Sequence, residues 1–214
     1  MQIFKKMKKV INTWKSSGRD NMSLKLRELT AEEHKNAERK AFAKKLLSGK
    51  IDTYEYVVYL YNMGYIYNTL ESIAWGNRLL ADIEDIRRSD AIWTDYEELL
   101  GTYEIPPLLN TSDRYMEYLR SIRSDSDKIL AHIYVRHMGD MAGGQMIAKK
   151  VPGSGRFYKF KDKEALKIKL RERLNNNMAS EAKVAFDFAT DLFTELEMLD
   201  DLESFSRNPK LFRE

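Results

Sequence analysis

This chain predicts a single all-α domain, a helical bundle, and three observations carry the prediction. It has only four prolines in 214 residues. Apolar residues recur at three- and four-residue spacing through most of its length, and no long alternating run marks a strand. A length of 214 residues is enough for one well-filled core and short for two domains. At 43% apolar and 32% charged, the composition is that of an ordinary globular protein.

The elements follow in order. Residues 1–22 read as a basic amphipathic arm, with Ile3, Phe4, Met7, Val10, Ile11 and Trp14 at helical spacing opposite Lys5, Lys6, Lys8, Lys9 and Lys15. A membrane-surface helix, a transit-like segment and an arm packed on the body all suit this pattern, and the packed or frayed arm is the preferred reading. The domain proper spans 23–202, and 203–214 is a polar tail. A first core helix is expected from about Leu24 to Leu47, stopped by Ser48-Gly49. Asp52 and Glu55 have capping-box spacing, so a second helix starts there and runs through the tyrosine-rich stretch to about Leu79. A short helix spans about Ser89 to Leu100, and Gly101 and Pro106-Pro107 break the chain after it. Further helices cover about Ser112–Ile122 and Ser126–Lys150, the second stopped by Val151-Pro152-Gly153. Arg156–Phe160 reads as an aromatic loop, followed by helices over about Asp162–Asn176 and Ser180–Leu202.

Several function classes fall away. Without cysteine there are no disulfides, thiolate metal sites, iron–sulfur clusters or cysteine nucleophiles. No apolar run approaches the ~20 residues of a membrane span, and the polar C-terminus carries no tail anchor, so a soluble, cytoplasmic protein is expected. The net charge of +3 is unevenly spread. Residues 149–173 hold ten cations against Asp162, Glu164 and Glu172. Such a segment suits nucleic acid, an acidic protein partner, or simply a solvated helix face.

The most informative segment is Tyr134-Val135-Arg136-His137-Met138-Gly139-Asp140-Met141-Ala142-Gly143-Gly144-Gln145. A glycine inside a helix costs about 1 kcal/mol relative to alanine, and here three fall within six positions. Gly139 and Gly143 are four apart and strip one face to bare backbone, so that something flat and large can come close. Arg136 and Asp140, also four apart, place charge beside it. A helix end at Gly143-Gly144, or a small-residue contact between helices, would account for the glycines alone. The full pattern Tyr-x-Arg-x-x-Gly-Asp-x-x-Gly-Gly-Gln resembles the distal helix of the heme oxygenases.

A second segment supports that resemblance. His34 lies in Thr30-x-x-x-His34-x-x-Ala37-Glu38, which resembles the proximal helix of the same family, and Leu60–Glu71 resembles the helix that follows there. The likeness covers about Leu24 to Leu199. It implies heme b, both substrate and cofactor, with iron bound axially by His34, Glu38 beside it, and Gly139, Gly143 and Gly144 on the opposite side. Lys167 and Arg171 resemble the family's propionate-binding pair, joined by Arg27 and Tyr134. Arg27 is seven residues before His34, two turns away on the same face. Phe186 and Phe193 would pack near the heme. Two departures stand out. The family usually has tyrosine at the position of His137, which its place beside Arg136 turns away from the bare face. It often has asparagine at the position of Ala189, which thins the distal water network.

The implied reaction is oxygen-dependent cleavage of heme to biliverdin IX-alpha, with release of carbon monoxide and ferrous iron. Asp140 would hold a water that relays protons, while Arg136 and Tyr67 position that network. The chain has no flavin or reductase motif, so electrons must come from outside. An acidic donor such as ferredoxin suits the basic segment, and a downstream bilin reductase is a further candidate partner. A thiaminase-like hydrolase generally needs a cysteine nucleophile. A nucleic-acid binder would leave the glycine face unexplained. The alternative kept open is a heme carrier that does not degrade its cargo, which would need His34 and the cations but neither Asp140 nor the glycines.

Overall fold

The computed structural model describes residues 21–199, which leaves the arm before Asn21 and the tail outside the description. The expected single helix over 24–47 is instead three short ones: α1 (Asn21–Leu29), α2 (Ala31–Arg39) and α3 (Ala41–Ser48). At the first break the buried Thr30 turns its hydroxyl back to the Leu26 carbonyl at 2.9 Å, the local competition that threonine offers a helix. At the second, Lys40 is extended (φ −59°, ψ 144°). Gly49 ends α3 in the left-handed region at φ 75°, the usual glycine stop.

The central helix is α4 (Thr53–Gly76). Its Asp52–Glu55 capping box is complete, with Asp52 accepting from the Tyr54 N–H and Glu55 from the Asp52 N–H. It is buried on nearly every side, as a helix without a polar face must be. Helix α5 (Ser89–Leu100) packs along it, and Trp93 fills the hollow at Gly64, where a Cβ would come within 2.7 Å of the indole. Helix α6 (Asn110–Ser121) also packs on α4, as does the glycine-bearing α7 (Ser126–Ile147). The last two helices are α8 (Lys163–Arg171) and α9 (Ala179–Met198). Three 3-10 turns, at Glu84–Ile86, Arg156–Tyr158 and Asn176–Met178, connect them.

Helix α9 sets the geometry of the site, because it packs against both α2 and α7. The Lys183 ammonium on α9 reaches Glu33 of α2 at 2.8 Å and ties the two together. Two apolar cores result. The larger is built on α4; the smaller joins Leu26, Leu130, Tyr134, Ala182, Ala185 and Phe186 where α1, α7 and α9 meet. No helix among the described residues is long and apolar enough to cross a membrane.

Candidate active site

The three glycines of α7 do different things. A Cβ at Gly139 or Gly143 would meet nothing within 4 Å, so this strip of helix borders open space. Gly139 is exposed although the stretch Ile129–His137 just before it is buried. Gly144 has another reason to be glycine: a Cβ there would lie 2.6 Å from Tyr158 of the 3-10 turn. It is a packing glycine and stands apart from the open strip, contrary to the expectation that placed it with Gly139 and Gly143. The turn behind it is held by the fully buried Asp95, whose carboxylate accepts the N–H groups of Arg156 and Phe157, each at 2.9 Å. Aspartate is spent here on backbone donors that no helix or sheet satisfies.

Asp140 stands beside the open strip and is half-buried. The buried Tyr67 of α4 donates its hydroxyl to Asp140 Oδ2 at 2.5 Å. Burial pushes the Asp140 carboxyl up to about 6, although the Tyr67 hydrogen bond and the neighbouring His137, Arg136 and Arg88 oppose it. Arg136 makes no salt bridge to Asp140, although the two are one turn apart on α7. Arg136 lies instead over the ring of Tyr115 on α6, 5.0 Å from its centroid, and its Nε and Nη2 are buried without hydrogen-bond partners. Donors orphaned this deep call for something the protein alone does not supply, and ordered water is the usual answer.

The other two histidines of the described chain are structural in their contacts. His132 is fully buried, sharing Nδ1 with the Tyr115 hydroxyl at 2.7 Å and Nε2 with Glu181 at 2.9 Å. His137 does turn away from the open strip: its Nε2 meets Glu71 at 2.9 Å, inside the packing of α4 against α7. Sequence reasoning missed Tyr115, Glu71 and Asp95. Each lies on a helix that reaches its partner only through the tertiary fold, and no local spacing marks it.

On the other side stands α2. His34 is half-exposed, its Nδ1 is 3.6 Å from Glu38 Oε2, and Phe186 meets its ring edge-on at 5.6 Å. A carboxylate at one ring nitrogen is the arrangement that leaves the other free for a metal. Phe193 lies further along α9, packed with Phe42 and Tyr59 rather than with His34. Arg27 and His34 do not share a continuous helix face, since Thr30 divides α1 from α2. Arg27 still belongs to the same end of the site: it and Arg171 of α8 together oppose the effect of burial, which raises the Tyr134 phenol. Lys167 is buried and reaches the exposed Glu164 at 2.9 Å.

Comparison with known proteins decides the family. A family model described as heme oxygenase matches residues 20–195. The chain belongs to the heme oxygenase family. That family cleaves heme to biliverdin. A heme oxygenase from Guillardia theta is 30% identical over 84% of this chain and 87% of its own length, and the human heme oxygenase 1 is 27% identical over 88% of this chain and 76% of its own. Among solved structures, the heme oxygenase of Leptospira interrogans matches with a TM-score of 0.70 and 27% identity over 79% of this chain and 97% of that one. Heme oxygenase 2 of Synechocystis, solved with heme and NO, matches with 0.75 and 25% over 84% and 86%.

The basic surface of this chain is smaller than its sequence suggests. Acids from elsewhere in the chain meet several of the ten cations: Arg156 pairs with Glu98 at 2.5 Å, and Arg173 with Asp82. Lys169 and Lys150 donate to the carbonyls of Asp82 and Leu47. Lys149, Lys159 and Lys161 remain as exposed cations outside any ion pair, with Lys163 half-exposed beside them.

Proposed function

We propose that this protein opens heme to biliverdin IX-alpha with heme lying between α2 and α7 and its iron on His34. Family membership supports the reaction. The observation that carries the seating is the open strip at Gly139 and Gly143, a bare helix face with Asp140 on its flank. Heme, when bound, supplies the iron that activates oxygen and the meso carbon that is attacked. His34 would hold the iron, with Glu38 3.6 Å from its Nδ1 placed to orient the ring. Gly139 and Gly143 would leave room for a flat ring against the backbone of α7. Asp140, held near neutral proton affinity, gives and accepts protons through a bound water, and Tyr67 keeps it in place. Arg136 offers two buried N–H groups to the same waters. Arg27, Tyr134, Lys167 and Arg171 take the propionates, for which Glu164 now stands in at Lys167.

Electrons arrive from an acidic donor such as ferredoxin at Lys149, Lys159, Lys161 and Lys163. Mixing the pure protein with hemin and then adding a reductant in air tests the reading. One equivalent of heme should bind, then disappear as biliverdin and carbon monoxide form, and chromatography should give chiefly the alpha isomer. His34→Ala should lose the ferric spectrum and most turnover, with added imidazole restoring part of both. Unchanged spectra and turnover in that variant would remove His34 as the ligand, and stable heme under reductant and air would leave a carrier.

A further inference from the structure

His137 is fully buried, one turn before Asp140 on α7, and its Nε2 turns to Glu71, away from the open strip. Its surroundings are unusual for a mere filler. Nε2 is 2.9 Å from Glu71 Oε1, and that same oxygen accepts the Arg88 N–H at 2.6 Å. Oε2 of Glu71 accepts the Ser89 N–H at 3.1 Å, with Arg87 Nε at 3.9 Å. Burial works to raise the Glu71 carboxyl, but these donors outweigh it and hold it below the ordinary carboxylate range. An ionised Glu71 can only accept, so Nε2 of His137 carries the proton. The Nδ1 atom is buried with no hydrogen-bond partner. The imidazole packs on Tyr67 with centroids 5.0 Å apart and the rings tilted by 48°, and Phe157 meets the same phenol edge-on at 5.4 Å. Tyr67 in turn donates to Asp140.

We propose that His137 is a positioning residue for the reaction: clamped by Glu71, it fixes the Tyr67 ring and so the Tyr67–Asp140 hydrogen bond that sets the proton supply. The inference rests on the heme reading above. Glu71 alone joins three helices, because it accepts the two N–H groups at the start of α5 and holds α7 through His137. An aromatic ring without a donor at this position would leave the Glu71 oxygen short of a partner. A donor without a ring would leave Tyr67 free to turn. The charged and titratable groups around His137 are Glu71 and Tyr67 from α4, Arg87 and Arg88 before α5, and Arg136 and Asp140 on its own helix.

The test uses the full chain loaded with hemin and two variants with opposite defects. His137→Gln keeps a donor and loses the ring; His137→Phe keeps a ring and loses the donor. The readout is the pH midpoint of the ferric complex's acid–alkaline absorption change, and Asp140→Asn marks how far loss of the carboxylate moves it. Hemin should bind all four proteins with affinities within about threefold, a difference of under 0.7 kcal/mol. His137→Gln should move the midpoint by about one unit in the direction of Asp140→Asn, a tenfold change in the proton equilibrium. His137→Phe should move it less if it folds, and His137→Gln alone suffices if it does not. Normal hemin binding with the marker displaced and His137→Gln at the wild-type midpoint would overturn the positioning role and leave the heme reading intact. Failure of the wild-type protein to give a hemin spectrum would bring down both, and a marker that does not move would overturn the role of Asp140 and with it the positioning role.

Discussion

Replacing Asp140 by asparagine should make the heme-free protein more stable at neutral pH while impairing its chemistry. The carboxyl is pushed up to about 6, against 3.8 for a free aspartate. Its folded pKa is raised, so the folded state binds more protons than the unfolded state between these values. Stability owed to this group is therefore fully present below about 4, falls as the pH rises to about 6, and is flat above. Two pKa units correspond to roughly 3 kcal/mol. Two effects reduce that figure. Asp140 is only half-buried, so water screens part of the penalty, and the asparagine amide brings an extra donor that costs about 1 kcal/mol. A net gain of about 1–2 kcal/mol remains, or roughly 2–8 °C in Tm for a chain of this size. Thermal unfolding of both proteins at pH 4, 6 and 8 measures it. The variant should be about 1 kcal/mol less stable at pH 4, and the gain should be complete by pH 8. A variant no more stable than the wild type at pH 8, or a gain equal at all three pH values, would refute the view that burial strains this carboxylate. Such a cost at the reacting centre is the familiar exchange of stability for activity.

Gly139→Ala and Gly143→Ala should each stabilise the heme-free protein by about 0.5–1 kcal/mol, since alanine suits a helix better and meets open space, yet both should weaken hemin binding in a spectroscopic titration. Gly144→Ala should do the reverse and destabilise by about 1–3 kcal/mol, because its Cβ would collide with Tyr158; equal Tm effects at all three positions would contradict the distinction. Removing the Asp95 carboxylate with alanine should cost about 2–4 kcal/mol in a denaturant titration, two buried N–H groups losing their acceptor at once. Charge reversal at Lys149, Lys161 and Lys163 should slow ferredoxin-driven turnover, spare ascorbate-driven turnover, and lower the sensitivity of the first to salt, given a screening length of roughly 8 Å at physiological ionic strength.

The sequence by itself determined the helical class and most element boundaries to within a few residues. Capping at Asp52, the stop at Gly49 and the breaks around Pro106-Pro107 are local chemistry, written in neighbouring residues. The glycine strip and the His34 segment were legible for the same reason: each motif lies within a single turn or two of helix. Where local cues competed, the reading slipped. Thr30 looked like one more residue of a long helix, and only its burial and its hydroxyl bond to Leu26 show why the chain breaks there. The ten cations of residues 149–173 looked unopposed because Asp82 and Glu98, which neutralise part of that charge, lie far away in sequence. The tertiary structure alone decided what surrounds the site. It separated Gly144, pressed on Tyr158, from the open Gly139 and Gly143, and it turned Arg136 from Asp140 to Tyr115. It also locked His137 onto Glu71, 66 positions away. Burial and partner geometry are properties of helices brought together, and a helix read alone carries only its own face.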